Sequence, residues 1–189
     1  FVDAGIALAI VNPSYVGWID YNTDGFLDIY YVGSGNLRIW VNTLGTSFSL
    51  ITANLNGENI SVLSDWGDID NDGDLDFVGG GLIFKNMGNN RFEVSQRLGS
   101  AGRTELLDFD KDGDLDFYSR DLLYTNKGKG VYELDRSLSP NGTDSDYAYR
   151  DYVFFGVDDS GNNQFASHYS LNTGFQGIIE IWNFFLCGG

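Results

Sequence analysis

The chain of 189 residues is short of the side chains that build several common kinds of site. It has one cysteine, Cys187, so an internal disulfide framework is excluded. Cysteine poverty fits a secreted protein of bacterial type. Cys187 itself reads as a small strand residue or as a link to another molecule. There is one histidine, His168, which leaves no His-rich metal centre and no His-Glu-x-x-His motif. No run of 18 apolar residues exists, so no membrane span is expected. Lys and Arg total 11 against 27 acidic residues, for a net charge of −16. A nucleic-acid partner is thereby excluded, because phosphate binding needs basic patches. Among the acids there are 22 Asp and only 5 Glu. Glu suits helices, whereas Asp suits turns and metal loops. The chain opens on Phe1 with no Met and no basic-then-apolar leader, which reads as a processed or excised piece.

What is present is a nine-residue acidic phrase, Asp68-Ile69-Asp70-Asn71-Asp72-Gly73-Asp74-Leu75-Asp76. Oxygen side chains stand at its positions 1, 3, 5 and 9, and Gly at position 6 permits a sharp turn with positive φ. Hard cations such as Ca²⁺ take six to eight oxygen ligands, supplied by carboxylates and backbone carbonyls. Without a cation, carboxylates this close repel one another. Residues 108–116 repeat the phrase almost unchanged, and residues 20–28 repeat it with Asn22 in place of one Asp. Residues 156–164 hold a decayed copy that keeps Gly161 but has lost its first and last carboxylates. The four copies start at 20, 68, 108 and 156, at intervals of 48, 40 and 48 residues. About three Ca²⁺ ions are expected, and none at 156–164.

A second phrase recurs after each loop. Ile39-Trp40-Val41-Asn42, Ile83-Phe84-Lys85-Asn86 and Leu123-Tyr124-Thr125-Asn126 share the form apolar-aromatic-x-Asn, and Ile181-Trp182-Asn183 is a damaged version. A Gly turn follows the first three, and Phe48, Phe92 and Tyr132 then open a further strand. Short alternating runs rich in Tyr, Phe, Val and Ile, separated by Gly and Asn turns, predict strands throughout. No convincing helix is found. Repeats of 40–50 residues with four strands each predict an all-β chain forming a β-propeller. The expected blades are 15–51, 61–95, 104–134 and 151–186, in one domain spanning 1–189, with the acidic loop joining the first two strands of each. Residues 1–10 read as an outer strand that closes the last blade or pairs with a neighbouring molecule. The second case would join molecules into a homo-polymeric filament.

These loops and strand phrases resemble the FG-GAP/VCBS repeat family, calcium-binding propeller repeats like those of integrin α-subunits. The resemblance implies ligands at Asp20, Asn22, Asp24 and Asp28; at Asp68, Asp70, Asp72 and Asp76; and at Asp108, Asp110, Asp112 and Asp116. It also implies backbone carbonyl ligands at Phe26, Asp74 and Asp114. EF-hand and dockerin readings fail, because position 12 is Tyr31, Gly79 or Ser119 and the flanks are strands.

Enzyme chemistry has little support. There is no Gly-x-Ser-x-Gly and no phosphate-cradling Gly-x-x-x-x-Gly-Lys, and His168 reads as a strand or loop residue. Glu58, Glu105, Asp144, Asp146 and Asp151 form no pair by spacing. The expected function is a non-catalytic, extracellular, calcium-stabilised module for adhesion or for recognition of a protein or glycan ligand. A filament subunit and a lectin are the alternatives. The long connection 139–150 carries Tyr147 and Tyr149, which either stack on a ligand or pack on a blade edge. Trp18, Trp40, Trp66 and Trp182 lie in strands and read as core between blades. Asn59-Ile60-Ser61 and Asn141-Gly142-Thr143 match the N-glycosylation pattern.

Overall fold

The computed structural model describes residues 7–60, 63–98, 104–119, 122–135, 147–157, 163–171 and 177–183. Among these there are fifteen strands and no helix. The chain divides into two compact units, Phe1–Ala101 and Gly102–Gly189.

The first unit holds two four-stranded antiparallel meanders. One contains β1 (Pro13–Ile19), β2 (Asp28–Gly33), β3 (Asn36–Thr43) and β4 (Ser47–Thr52). The other contains β5 (Leu63–Gly67), β6 (Asp76–Gly79), β7 (Leu82–Asn86) and β8 (Phe92–Arg97). Pro13 begins an edge strand, where its missing N–H breaks no ladder. The residues facing each other across the sheets explain the packing. Leu37 and Ile39 of β3 and Tyr30 and Val32 of β2 bury one face of the first sheet. That face packs against Phe77, Phe84 and Phe92 of the second sheet in one core. Trp66 joins it, with its ring 5.5 Å from Tyr30 and 5.1 Å from Phe77. Each fully buried large apolar side chain contributes about 1.5–3 kcal/mol. The two sheets are also tied through the main chain. The Asn54 amide donates to the Asn90 carbonyl at 2.7 Å, and the Phe92 amide donates to the Asn54 carbonyl at 2.8 Å.

The second unit holds β9 (Thr104–Leu107), β10 (Asp116–Ser119), β11 (Leu122–Asn126) and β12 (Tyr132–Asp135) in a third meander. It also holds a three-stranded antiparallel sheet of β13 (Tyr147–Val157), β14 (Asn163–Leu171) and β15 (Gly177–Asn183). The repeat is visible in side-chain geometry as well as in topology. Phe77 stacks on Phe84 at 4.5 Å and 17°, and Phe117 stacks on Tyr124 at 4.6 Å and 18°.

Two expectations change, the start of the thirteenth strand and the burial of Trp18. The tyrosines Tyr147 and Tyr149 belong to β13, which starts five residues earlier than Tyr152, where the strand was expected to begin. Alternating aromatic residues favour the pleated strand over a loop. The fourth repeat shows three strands among the described residues, and its expected outer strand, at 184–186 or in the N-terminal segment, falls on or runs into residues outside them. Of the tryptophans, Trp66 lies in a core as expected, but Trp18 is 65% exposed. Trp18 stands in register with Ile29, Trp40 and Leu50 on the face of the first sheet opposite its core. His168 lies within β14, in register with Asp151 and Ile179. Residues 1–6 and 184–189, including Cys187, lie outside the described residues, as do Asn141 and most of the decayed loop at 158–162.

Candidate metal centre

Each acidic loop joins the first two strands of a four-stranded sheet: β1 to β2, β5 to β6 and β9 to β10. The three loops share one backbone path. Position 4 has positive φ in each, at Thr23 (54°), Asn71 (60°) and Lys111 (63°). Position 6 is Gly in each, at φ 87° for Gly25 and 95° for Gly73 and Gly113. Only the glycine was legible as a special position. Thr23 and Lys111 are held left-handed although neither residue type favours it.

The first carboxylate of each loop organises the turn. Asp68 accepts the Asp72 amide through Oδ1 and the Gly73 amide through Oδ2, both at 3.0 Å. Asp20 takes the Asp24 and Gly25 amides in the same way, at 3.0 and 2.9 Å. Asp108 Oδ2 accepts the Gly113 amide at 3.1 Å. The position-5 carboxylate accepts the amide two residues on, as Asp72 Oδ1 does from Asp74 at 2.9 Å. Asp24 does so from Phe26 and Asp112 from Asp114.

The last carboxylate is wholly buried. Asp28, Asp76 and Asp116 are each 0% exposed. Asp76 Oδ2 accepts the Ile69 amide at 3.0 Å, and its Oδ1 accepts the Asn86 amide at 2.7 Å. Asp28 takes Tyr21 and Asn42, and Asp116 takes Phe109 and Asn126, by the same pair of contacts. These expected ligands are thus also structural acceptors. Asp116 Oδ2 also takes the Asp110 amide at 3.4 Å.

The recurring Asn is the residue whose role the sequence reading left unassigned. Asn86 Nδ2 donates to the Leu75 carbonyl at 3.2 Å, and its Oδ1 accepts the Gly88 amide at 3.0 Å. Asn42 and Asn126 make the matching contacts. The apolar-aromatic-x-Asn phrase therefore fastens each acidic loop to the next hairpin turn.

Carboxylate oxygens of Asp68, Asp70 and Asp76 lie within 4.8 Å of one another, and so do those of Asp108, Asp110 and Asp116. Asp72 and Asp112 stand outside these groups. In the first loop the third position is Asn22, whose amide donates to Asp24 Oδ2 at 2.9 Å. Burial, reinforced by the neighbouring carboxylates, pushes the Asp76 carboxyl up to about 7 and that of Asp116 up to about 6. Their backbone amide donors work against the rise. Burial likewise raises Asp28, and burial together with Asp112 raises Asp110. Asp70 Oδ1 and Asp108 Oδ1 are buried and meet no hydrogen-bond donor. Buried oxygens without a donor are costly. A divalent cation between the carboxylates of each loop would satisfy that loop's oxygen, so the residues present fit such an ion.

Among the described residues no helix is long and apolar enough to cross a membrane. No curated protein matches the chain. A lectin of Agrocybe aegerita, which specifically recognises non-reducing terminal N-acetylglucosamine, is similar in structure, with a TM-score of 0.55 and 17% identity. The similarity covers 85% of this chain and 49% of the lectin chain, so the chain spans about half of that protein's length. At this identity the likeness shows the all-β fold alone. Residues 20–79, from the first acidic loop to the end of β6, match the family model of the FG-GAP-like repeat, the family that the acidic loops and strand phrases resemble.

Proposed function

We propose that the chain is a non-catalytic, calcium-stabilised recognition module of propeller type, acting outside the cell. The observation that carries this reading is the pair of carboxylate clusters with buried, donorless oxygens at Asp70 and Asp108. Asp68, Asp70 and Asp76 would hold one ion, and Asp108, Asp110 and Asp116 a second. Asp20, Asn22 and Asp28 occupy the matching positions for a third. Asp72, Asp112 and Asp24, with the carbonyls of Phe26, Asp74 and Asp114, complete the sets. When bound, the ion supplies positive charge that cancels the repulsion within each loop. At a free concentration one hundred times Kd, each ion contributes about 2.7 kcal/mol. The test is thermal unfolding in calcium and in chelator, with bound metal counted by atomic emission. Metal-free protein with an unchanged Tm would overturn the reading.

A second reading makes the recognised ligand a glycan, and the structural likeness to a lectin favours it. A glycan array that includes non-reducing terminal N-acetylglucosamine tests it. No binding to any sugar in calcium would leave a protein ligand as the object of recognition.

A further inference from the structure

The three loops are alike in sequence, and a cation from a neighbouring strand reaches into the second. Lys85 Nζ lies 3.1 Å from Asp70 Oδ2, with the two side chains 22% and 17% exposed. Asp70 belongs to the carboxylate cluster with Asp68 and Asp76. Lys85 comes from β7, on the residue just before the stapling Asn86. The same strand position is Val41 in the first repeat and Thr125 in the third. The lysine is therefore a feature of this loop and not of the repeat.

We infer that Lys85 is a tethered counter-ion for the loop at 68–76, which lowers that loop's affinity for calcium. The inference rests on the calcium reading above. A divalent ion among Asp68, Asp70 and Asp76 displaces the ammonium from Asp70 or sits beside it, and either event costs electrostatic energy. The displaced ammonium has another carboxylate at hand. Glu93 lies directly opposite Lys85 on β8, so the two side chains leave the sheet on the same face. Glu93 also pairs with Arg91, so an exchange of partners is built into this hairpin. Without calcium, the ammonium offsets part of the repulsion in the loop and keeps it folded. The second loop is thus set to hold its shape without the ion and to take the ion up only at higher concentration. For a partly exposed pair of this kind the effect on affinity is about three- to thirtyfold.

The experiment is a calcium titration of the whole chain followed by NMR. The amides of Gly73 and Gly113 donate to Asp68 and Asp108, so each reports its own loop. In Lys85→Thr, and in Lys85→Met, which keeps most of the aliphatic stem, the Gly73 midpoint falls about tenfold and the Gly113 midpoint stays within twofold. Lys85→Arg keeps the wild-type Gly73 midpoint. If Gly73 responds to calcium in the wild type but its midpoint is unchanged in both Lys85→Thr and Lys85→Met, this inference is overturned and the calcium reading stands. If none of the loop glycines responds in the wild type, both fall together.

Discussion

Asp76 and Asn86 stand ten residues apart and at the two ends of a β-hairpin, yet the Asn86 amide donates to Asp76 Oδ1 at 2.7 Å with both residues buried. The bond joins the last residue of an acidic loop to the last residue of β7. It gives the carboxylate a role that does not depend on any ion. Asp76→Ala would leave the Ile69 and Asn86 amides without acceptors. The expected loss is about 2–5 kcal/mol, present in chelator as well as in calcium. Urea unfolding under both conditions measures it. A loss seen only in calcium would mean that Asp76 acts solely as a ligand.

Asp108 should behave in the opposite way. Its Oδ1 is buried without a donor, while Oδ2 takes the Gly113 amide. Asp108→Asn keeps an acceptor for Gly113 and places an N–H near Asp110 and Asp116. Metal-free stability should stay within about 1 kcal/mol of wild type or rise, while that loop loses its calcium. Calorimetric titration should then count one ion fewer.

Acidity should stabilise the chelated protein. The folded-state pKa of Asp76 is raised to about 7 and that of Asp116 to about 6, above their value in an unfolded chain. The folded state then binds protons more readily than the unfolded state. The stability from these groups is fully present below the unfolded carboxyl range and is lost as pH rises through about 6 and 7. Unfolding in chelator at pH 5 and at pH 7.5 should show the more stable protein at pH 5. Calcium should reverse the order, because it binds the deprotonated carboxylates.

The stapling asparagine can be tested apart from the ion. Asn126→Ala removes the donor to the Leu115 carbonyl and the acceptor for the Gly128 amide, at a site where Asn126 is 1% exposed. The expected cost is about 1–3 kcal/mol by chemical unfolding. Asn126→Asp should recover only the acceptor half.

The two tryptophans at matching loop positions should differ sharply. Trp66 touches Tyr21, Tyr30, Phe77 and Phe92, whereas Trp18 is 65% exposed. Trp66→Ala should cost about 3–5 kcal/mol and Trp18→Ala no more than about 0.5 kcal/mol in thermal or urea unfolding.

The places of the loops and of the first twelve strands were legible because two local signals agree. An Asp-rich turn with Gly at position 6 marks where each first hairpin folds, and alternating apolar residues mark the strands on either side. Phe92 and Tyr132 open β8 and β12 as expected from their place after the Gly turns. The function of Asn42, Asn86 and Asn126 was not legible, because their partners lie in the acidic loop before the intervening hairpin. The contrast between Trp18 and Trp66 was hidden for a similar reason. Both stand two residues before a loop, and only the neighbouring sheet decides which is covered. Nothing in the sequence marks Lys85 beyond its place before Asn86, because Asp70 comes beside it only in the folded loop.

The tie between the first two sheets has a consequence for how this sequence tolerates change over generations. Asn54 holds the second sheet through its own amide and carbonyl, which meet the Asn90 carbonyl and the Phe92 amide. No side chain takes part in those two bonds. Sequence drift at 54 therefore leaves this main-chain tie available, whereas Asn90 is held at φ 60° and Phe92 is fully buried, and proline at 54 or 92 strikes at the tie directly, by deleting an N–H. The side chain at 54 is thus free to diverge while the joint between the first two sheets is passed on through the backbone.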